Sequence, residues 1–413
     1  MSSIDPMQPG HVRSVSIPQT PARLPVAAMA LTRMLAQLHT GRLRLIDPQG
    51  RVQDFGPGGE PQVSLQLASW NPITALMRRG DVGFAQAWID GEWTTDNLTG
   101  LIMLASLNRS VLESAVFGTW FGQLLDRLRH LILRDNSLAG SRRNIAAHYD
   151  LGNAFYALWL DETMTYSSAC FQGEADRSLA DAQRAKYALA LERTAAARGA
   201  RLLEIGCGWG GFAETAARAG HHVTGLTLSR EQHAWAQSRL RKVGLDAKAD
   251  LRLQDYRDTK GQFDAIVSIE MFEAVGERWW ATWFAAVARL LAPGGRAVVQ
   301  TITIHDDRFQ RYRSTMDFIQ THIFPGGMLP SPSVFEREAA RAGLRVVERH
   351  AFGADYGKTM ALWHQRFLGC LDSLPALGFD DRFVRMWRFY LSYCEAGFRT
   401  GDTDVIQFVL THR

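Results

Sequence analysis

The residues with the clearest chemical use lie in LLEIGCGWGGFAETAARAGHHVTGLTLS, residues 202–229. Gly206, Gly208 and Gly210 alternate there with larger residues, after an apolar run and ahead of a helical pattern. Glycine tolerates positive φ and lets a ligand reach the backbone without meeting a Cβ. Glu204, just ahead of the turn, supplies a carboxylate suited to a cationic amino-acid group. The spacing GCGWG differs from the GxGxxG of dinucleotide-binding folds. The second apolar run ends in Thr227, Leu228 and Ser229, with no acid there for a ribose. Together these features point away from a nicotinamide dinucleotide.

The elements that must position such a turn can be read around it. LLEI (202–205), HVTGLTL (222–228), LRLQDY (251–256), DAIVSIEM (264–271) and RAVVQTITI (296–304) are apolar or β-branched, and most are separated by alanine-rich helical stretches. That alternation predicts an α/β fold, a doubly wound sheet with helices on both faces and ligands at the carboxyl ends of its strands. Ahead of it, residues 26–108 mix a helix, the alternating run GRLRLID and the cluster GPGGEP, which reads as a smaller α+β domain. Leu112, Val116, Trp120, Leu124, Leu128 and Leu131 recur at helical spacing among arginines, a pattern that fits either inter-domain packing or a membrane surface. DNSLAGSRRN, residues 135–144, reads as the boundary. The expected organisation is a disordered lead-in over 1–25, an accessory N-terminal domain with linker helix over 26–135, and a catalytic domain over 136–413.

Composition narrows the class. With 413 residues, 46% of them hydrophobic, the chain can bury two cores. A formal charge of +4 is a mild excess that suits an anionic membrane surface as well as a nucleic acid. No apolar stretch approaches the roughly 18 residues of a membrane span. Cys170, Cys207, Cys370 and Cys394 form no CxxC pair, which favours reduced thiols in a cytoplasmic protein and implies no metal.

An acidic residue just before GxGxG resembles the binding loop of S-adenosylmethionine-dependent methyltransferases. The flanking motifs are more specific. HYDLGNAFYALWLDETMTYSSACF (148–171), LTLSREQ (226–232), LQDYRD (253–258), SIEMFEAVG (268–276), DFIQTHIFPGGMLPS (317–331), FGADYGKTMALW (352–363) and FYLSYCEAGFRTG (389–401) resemble the cyclopropane-fatty-acyl-phospholipid synthase family, which includes the mycolic acid cyclopropane synthases. The resemblance covers the chain from Arg142 onward, with a weaker likeness in GFAQAWIDGEW (83–93). It implies a Rossmann-like class I methyltransferase fold and transfer of a methylene group from S-adenosyl-L-methionine to the cis double bond of a phospholipid acyl chain. It further implies peripheral attachment at the inner face of the membrane, a homodimer, and no nucleic-acid partner.

An alkene is a weak nucleophile, and its attack on the sulfonium methyl leaves a carbocation on the neighbouring carbon. The site must then be dry, rich in aromatic faces, and supplied with a base that lets the ring close. Tyr166, Phe171, Phe272, Trp279, Trp280, Tyr356 and Trp363 are the aromatic candidates, all equally suited to a core. By the resemblance the base is a bound bicarbonate held by Ser168, Glu273, Gln300, the backbone of Ile302, and Tyr356. The best-known members carry Cys at position 168 and His at 300 and 274, but serine and glutamine also donate hydrogen bonds to an oxyanion. The resemblance places Tyr166 and Ser167 over the methionine end of the cofactor, with Glu204, Gly206, Gly208 and Gly210 in the turn below. Thr227 and Gln232 fall near the ribose, and Asp255 with Tyr256 beside the adenine. Thr227 or Ser229 equally suits an N-cap of the helix that follows. Three other readings remain: C-methylation without ring closure, a methyltransferase for small molecules or nucleic acid, and a catalytically inactive lipid-binding scaffold.

Overall fold

The computed structural model describes residues 25–116 and 151–413. The expected lead-in, most of the linker helix and the boundary at 135–144 lie outside these residues. In the N-terminal unit, α1 (Val26–Leu35), α2 (Asn71–Ile89), α3 (Leu98–Leu107) and α4 (Arg109–Val116) accompany a four-stranded sheet. Its strands are β1 (Gly41–Ile46), β2 (Val52–Gly58), β3 (Gln62–Leu67) and β4 (Trp93–Thr94), in the order β2-β1-β3-β4. GRLRLID forms β1 as expected, with Leu43 and Leu45 buried and the arginines between them exposed. GPGGEP is no simple turn, because Gly56–Gly58 extend β2.

The catalytic unit holds a seven-stranded sheet in the order β10-β11-β9-β8-β5-β6-β7. Its strands are β5 (Arg201–Ile205), β6 (His222–Thr227), β7 (Ala249–Leu253), β8 (Phe263–Ile269), β9 (Leu291–Ile304), β10 (Leu344–Ala351) and β11 (Thr403–His412). The five strands from β9 to the edge strand β7 are parallel, as the alternation of strands and helices dictates, whereas β11 runs antiparallel to both β9 and β10. The order turns back between β5 and β8, and the crevice there is where a doubly wound sheet receives its ligand. Helices flank the sheet: α5 (Asn153–Trp159), α6 (Leu179–Arg193), α7 (Gly211–Arg218), α8 (Arg230–Lys242), α9 (Trp280–Leu290), α10 (Asp306–Ser314), α11 (Pro332–Arg341), α12 (Gly353–Gly369) and α13 (Asp381–Arg399).

The two units share a core. Leu43, Leu65 and Trp88 belong to the same buried cluster as Trp159, Trp363 and Trp387. Polar contacts fix the seam: the Trp88 indole donates to the carbonyl of Arg385 at 2.9 Å, and Asp402 receives Ser106 and Arg109 from one unit and Arg308 from the other.

Candidate active site

The glycine turn behaves as its composition requires. Gly206 (φ 90°) and Gly208 (φ 50°) take left-handed conformations that side chains disfavour. A Cβ on Gly206 would stand 2.9 Å from the Met271 side chain, while one on Gly208 would point into open space. That space is a cleft of about 150 Å³ at the carboxyl ends of β5, β6 and β7. Tyr166, Ser167, Glu204, Gly206, Gly208, Thr227, Gln232, Asp255 and Tyr256 all line it. Gly210 does not. It opens α7 at φ 84°, where a Cβ would meet that of Ala236 at 2.9 Å, so its role is packing against α8.

Glu204 ends β5 almost wholly buried, and its Oε2 has no hydrogen-bond partner. Burial pushes its carboxyl up to about 8, against the pull of Lys186 and Arg239. An orphaned acceptor aimed into a cleft fits a cationic ligand group. Thr227 donates to Gln232 at 3.0 Å, and Ser229 caps α8 by accepting from the Gln232 amide, so the cap belongs to Ser229 and leaves Thr227 on the cleft wall. Asp255 binds Arg257 through both of its oxygens, at 2.9 and 2.8 Å. Its role in the fold is therefore an ion pair at the edge of the cleft.

A second cavity of about 1230 Å³ begins where the cleft ends. Tyr166, Glu270 and Ala274 belong to both walls, so the two spaces meet there. Glu270 was not among the expected site residues. It follows β8 directly and holds φ at +50°, a costly conformation for a long side chain and one that concentrates at functional sites. Its Oε1 accepts from the Ser168 amide at 2.9 Å and from Gln300 Nε2 at 2.7 Å, and its Oε2 accepts from the Tyr356 hydroxyl at 2.6 Å. Glu273, one turn on, accepts from the Ile302 amide at 2.5 Å and from Thr301 at 3.0 Å, while its Oε2 is buried without a partner.

The expected anion pocket is thereby corrected. Of the donors assigned to bicarbonate, Gln300 and Tyr356 donate to Glu270, as does the Ser168 amide, and the Ile302 amide donates to Glu273. Ser168 and Gln300 are fully buried behind Glu270 and form no part of either wall, and the Ser168 hydroxyl turns to the Ala169 carbonyl at 2.9 Å. Gln300 is itself held by Gln407 of β11 at 3.0 Å. Burial raises both glutamates, and the charge of Glu270 raises Glu273 further. Three donors and the nearby Lys186 favour the charge on Glu270 over Glu273, which has two donors and one bare oxygen.

Aromatic groups enclose the junction. The hydroxyls of Tyr166 and Tyr390 lie 2.6 Å apart, Trp363 packs against both Tyr166 and Tyr356, and Tyr356 stacks on Phe398 at 4.2 Å. Of the other aromatic candidates, Phe272 and Trp280 stack in the core beneath the sheet, and Trp279 borders the cofactor cleft. Lys186 of α6, also unforeseen, is fully buried against Ser167 and the Tyr187 ring, with burial lowering its ammonium to about 7. Gln183, one turn earlier, donates to the Ser167 carbonyl at 2.9 Å. A buried lysine and glutamine at this helical spacing were the available signal for a helix that clamps the Tyr166–Ser168 segment.

The likeness to known proteins agrees with this geometry. Residues 136–408 match the family profile described as mycolic acid cyclopropane synthetase. A tuberculostearic acid methyltransferase of Mycobacterium tuberculosis is 38% identical, covering 95% of this chain and 93% of its own. The cyclopropane-fatty-acyl-phospholipid synthase of Escherichia coli is 35% identical over 86% and 89%. Among solved structures, a cyclopropane synthase from Mycobacterium tuberculosis superposes with a TM-score of 0.61 at 33% identity, covering 65% of this chain and 97% of that one. A mycolic acid cyclopropane synthase crystallised with SAH and CTAB gives 0.60 at 33% identity, with the same two shares covered. The chain belongs to the mycolic acid cyclopropane synthetase family of S-adenosylmethionine-dependent methyltransferases.

Proposed function

We propose that this enzyme alkylates a cis double bond in a lipid acyl chain and closes a cyclopropane ring, with Glu270 as the base. The observation that carries the reading is the meeting of a polar cofactor cleft and a long apolar cavity at Tyr166, Glu270 and Ala274. S-adenosylmethionine, when bound, supplies an electrophilic methyl group on a positively charged sulfur. Glu204 and the Gly206–Gly208 backbone would hold its amino-acid end, with Tyr166 also on the cleft wall. The alkene would take up that methyl group, leaving a cation on the adjacent carbon of the acyl chain. Tyr166, Tyr356 and Tyr390, all on the cavity wall, offer that cation electron-rich groups. Glu270 takes a proton from the new methyl group, and the freed C–H pair closes the ring. Tyr356, Gln300 and the Ser168 amide keep the base anionic and aimed.

A second outcome has a specific observation behind it, the 38% identity across nearly the whole chain to a tuberculostearic acid methyltransferase. In that outcome a hydride shift would precede proton loss, and the product would stay open as a methylene-branched chain. Methyl-labelled cofactor and cis-monounsaturated phospholipid in vesicles, followed by mass spectrometry before and after mild hydrogenation, separate the two. A ring resists reduction, an exomethylene group gains two hydrogens, and absence of labelled lipid overturns the reading altogether. No helix of the described residues is long and apolar enough to cross a membrane, so the substrate is taken to be met at a lipid surface.

A further inference from the structure

The cavity that receives the reacting chain continues out of the catalytic unit. From Glu270 its lining includes Phe389, Tyr390 and Tyr393 of α13 and, in the N-terminal unit, Leu31 of α1, Leu38 just beyond it, Leu65 of β3, Leu76 of α2 and Ile102 of α3. At about 1230 Å³ it exceeds the ~300–1,000 Å³ of sites for compact ligands. Charged side chains join the lining where the two units meet. Arg78, Arg79 and Asp81 reach it where Gly80 (φ 61°, ψ −146°) interrupts α2, and Arg308 and Arg311 of α10 reach it from the catalytic unit. This belt lies on the seam between the units, because Arg308 shares the Asp402 carboxylate with Arg109 of α4, and Asp81 accepts from the Phe318 amide of the catalytic unit.

A single-tailed acyl compound carries its polar group at one end and has use for one limb only. Two apolar limbs meeting at a belt of guanidinium groups complement an amphiphile whose anionic group sits where its two tails diverge. We propose that the N-terminal unit is a receptacle for the second, unreacting tail of a two-tailed lipid, and that Arg78, Arg79 and Arg311 receive its phosphate. The inference rests on the lipid reading of the cavity but not on its chemistry. Guanidinium forks suit a phosphate diester, and Arg78 and Arg79 both reach the wall just ahead of the helix break at Gly80.

The test is calorimetric and uses saturated lipids, which bind but do not react. Dioctanoyl phosphatidylglycerol, mono-octanoyl lysophosphatidylglycerol and glycerol 3-phosphate are titrated into the full-length protein below the aggregation threshold of each lipid. The two-tailed lipid is expected to bind at least about tenfold tighter than the one-tailed lipid, from the apolar area that the second tail buries, and glycerol 3-phosphate is expected not to bind measurably. Ile102→Trp and Leu76→Trp, both at partly buried wall positions in the N-terminal limb, should each erase the two-tail advantage and leave lysolipid affinity unchanged. Arg78→Glu with Arg79→Glu should weaken both lipids. Equal affinity for the one- and two-tailed lipids in the native protein, a preference that survives both tryptophan variants, or glycerol 3-phosphate binding as tightly as the two-tailed lipid each overturns the proposal. Because no methyl transfer is read, a failed alkylation assay with an intact two-tail preference would sink the proposed reaction and leave this receptacle standing.

Discussion

The cofactor cleft and the acyl cavity meet at one glutamate, yet they are built by opposite means. The cleft is small, about 150 Å³, and much of its shape is backbone: a turn at positive φ, the carboxyl ends of three parallel strands, and one buried acid. The cavity is about eight times larger, and its walls are side chains drawn from α1 to β11. Backbone geometry of the first kind tolerates few substitutions, because a Cβ either strains the chain or fills the site. A wall of many aliphatic side chains can be repacked, so most of its members are individually expendable. The two regions should therefore fail differently when mutated.

The largest effect is expected at Glu270, the one acid among the three residues both spaces share. Glu270→Gln keeps the shape and loses the proton-accepting charge, so single-turnover alkylation should slow by about 10²- to 10⁴-fold. Cofactor affinity should stay within about twofold of native, since Glu204 and the glycine turn carry that binding. Removing bicarbonate from the buffer should leave native turnover unchanged, because the chain's own carboxylates already hold the anion's expected donors. Native-like turnover in the variant would move the base elsewhere, and dependence on added bicarbonate would restore an anion to the pocket.

Next comes the turn itself. Gly208→Val sets a β-branched residue at φ 50° with its side chain in the cleft. Calorimetry should show cofactor affinity reduced at least about 10²-fold, while circular dichroism shows the fold retained. Unchanged affinity would mean that the cleft accepts its ligand away from the backbone.

These two residues also mark what the sequence made legible. Gly208 announced itself because a glycine-spaced turn between a strand and a helix has few physical uses. The strands were recognisable because buried parallel strands must be apolar nearly throughout. Glu270 sits in plain view in SIEMFEAVG, three residues before Glu273, and the family resemblance drew attention to Glu273 instead. The missed signal was an acid at the very end of an apolar strand run, on the ligand edge of the sheet, as Glu204 is on β5. Ser168 and Gln300 were found in the right neighbourhood with the wrong partner, since only folding shows that they face a glutamate. The N-terminal limb had no local signature at all. Its lining is scattered through α1, β3, α2 and α3, and each leucine alone reads as ordinary core.

A more moderate change is expected at Glu204. Burial holds its carboxyl up to about 8, so near neutral pH it is largely protonated and its ionised form accumulates as pH rises. Affinity for a ligand bearing an ammonium group should accordingly increase as pH rises through about 8, for as long as that group keeps its own proton. Glu204→Gln should flatten this rise and cost on the order of tenfold in affinity at its alkaline end, one charge-assisted hydrogen bond's worth. Isothermal titrations of S-adenosylhomocysteine across this range decide the matter; an equally steep profile in the variant would assign the titration to another group.

The smallest effect sharpens the division within the junction. Glu273 was expected, with four other residues, to hold the bicarbonate base, but its Oε1 is spent on the Ile302 amide and Thr301, and burial and the neighbouring Glu270 push its carboxyl up to about 8. A neutral acid with one accepting oxygen is closely mimicked by glutamine, whose carbonyl accepts from the same two donors. Glu273→Gln should therefore lower turnover by less than about fivefold, against the much larger loss for Glu270→Gln, because it changes no charge that the reaction uses. Glu273→Ala tests the positioning role separately. It strands the Ile302 amide without its acceptor and opens space beside the base, so it should slow turnover more than glutamine does while leaving cofactor affinity intact. If Glu273→Gln instead proves as damaging as Glu270→Gln, the two carboxylates share the proton as a pair, and the base is the dyad rather than the residue at the end of β8.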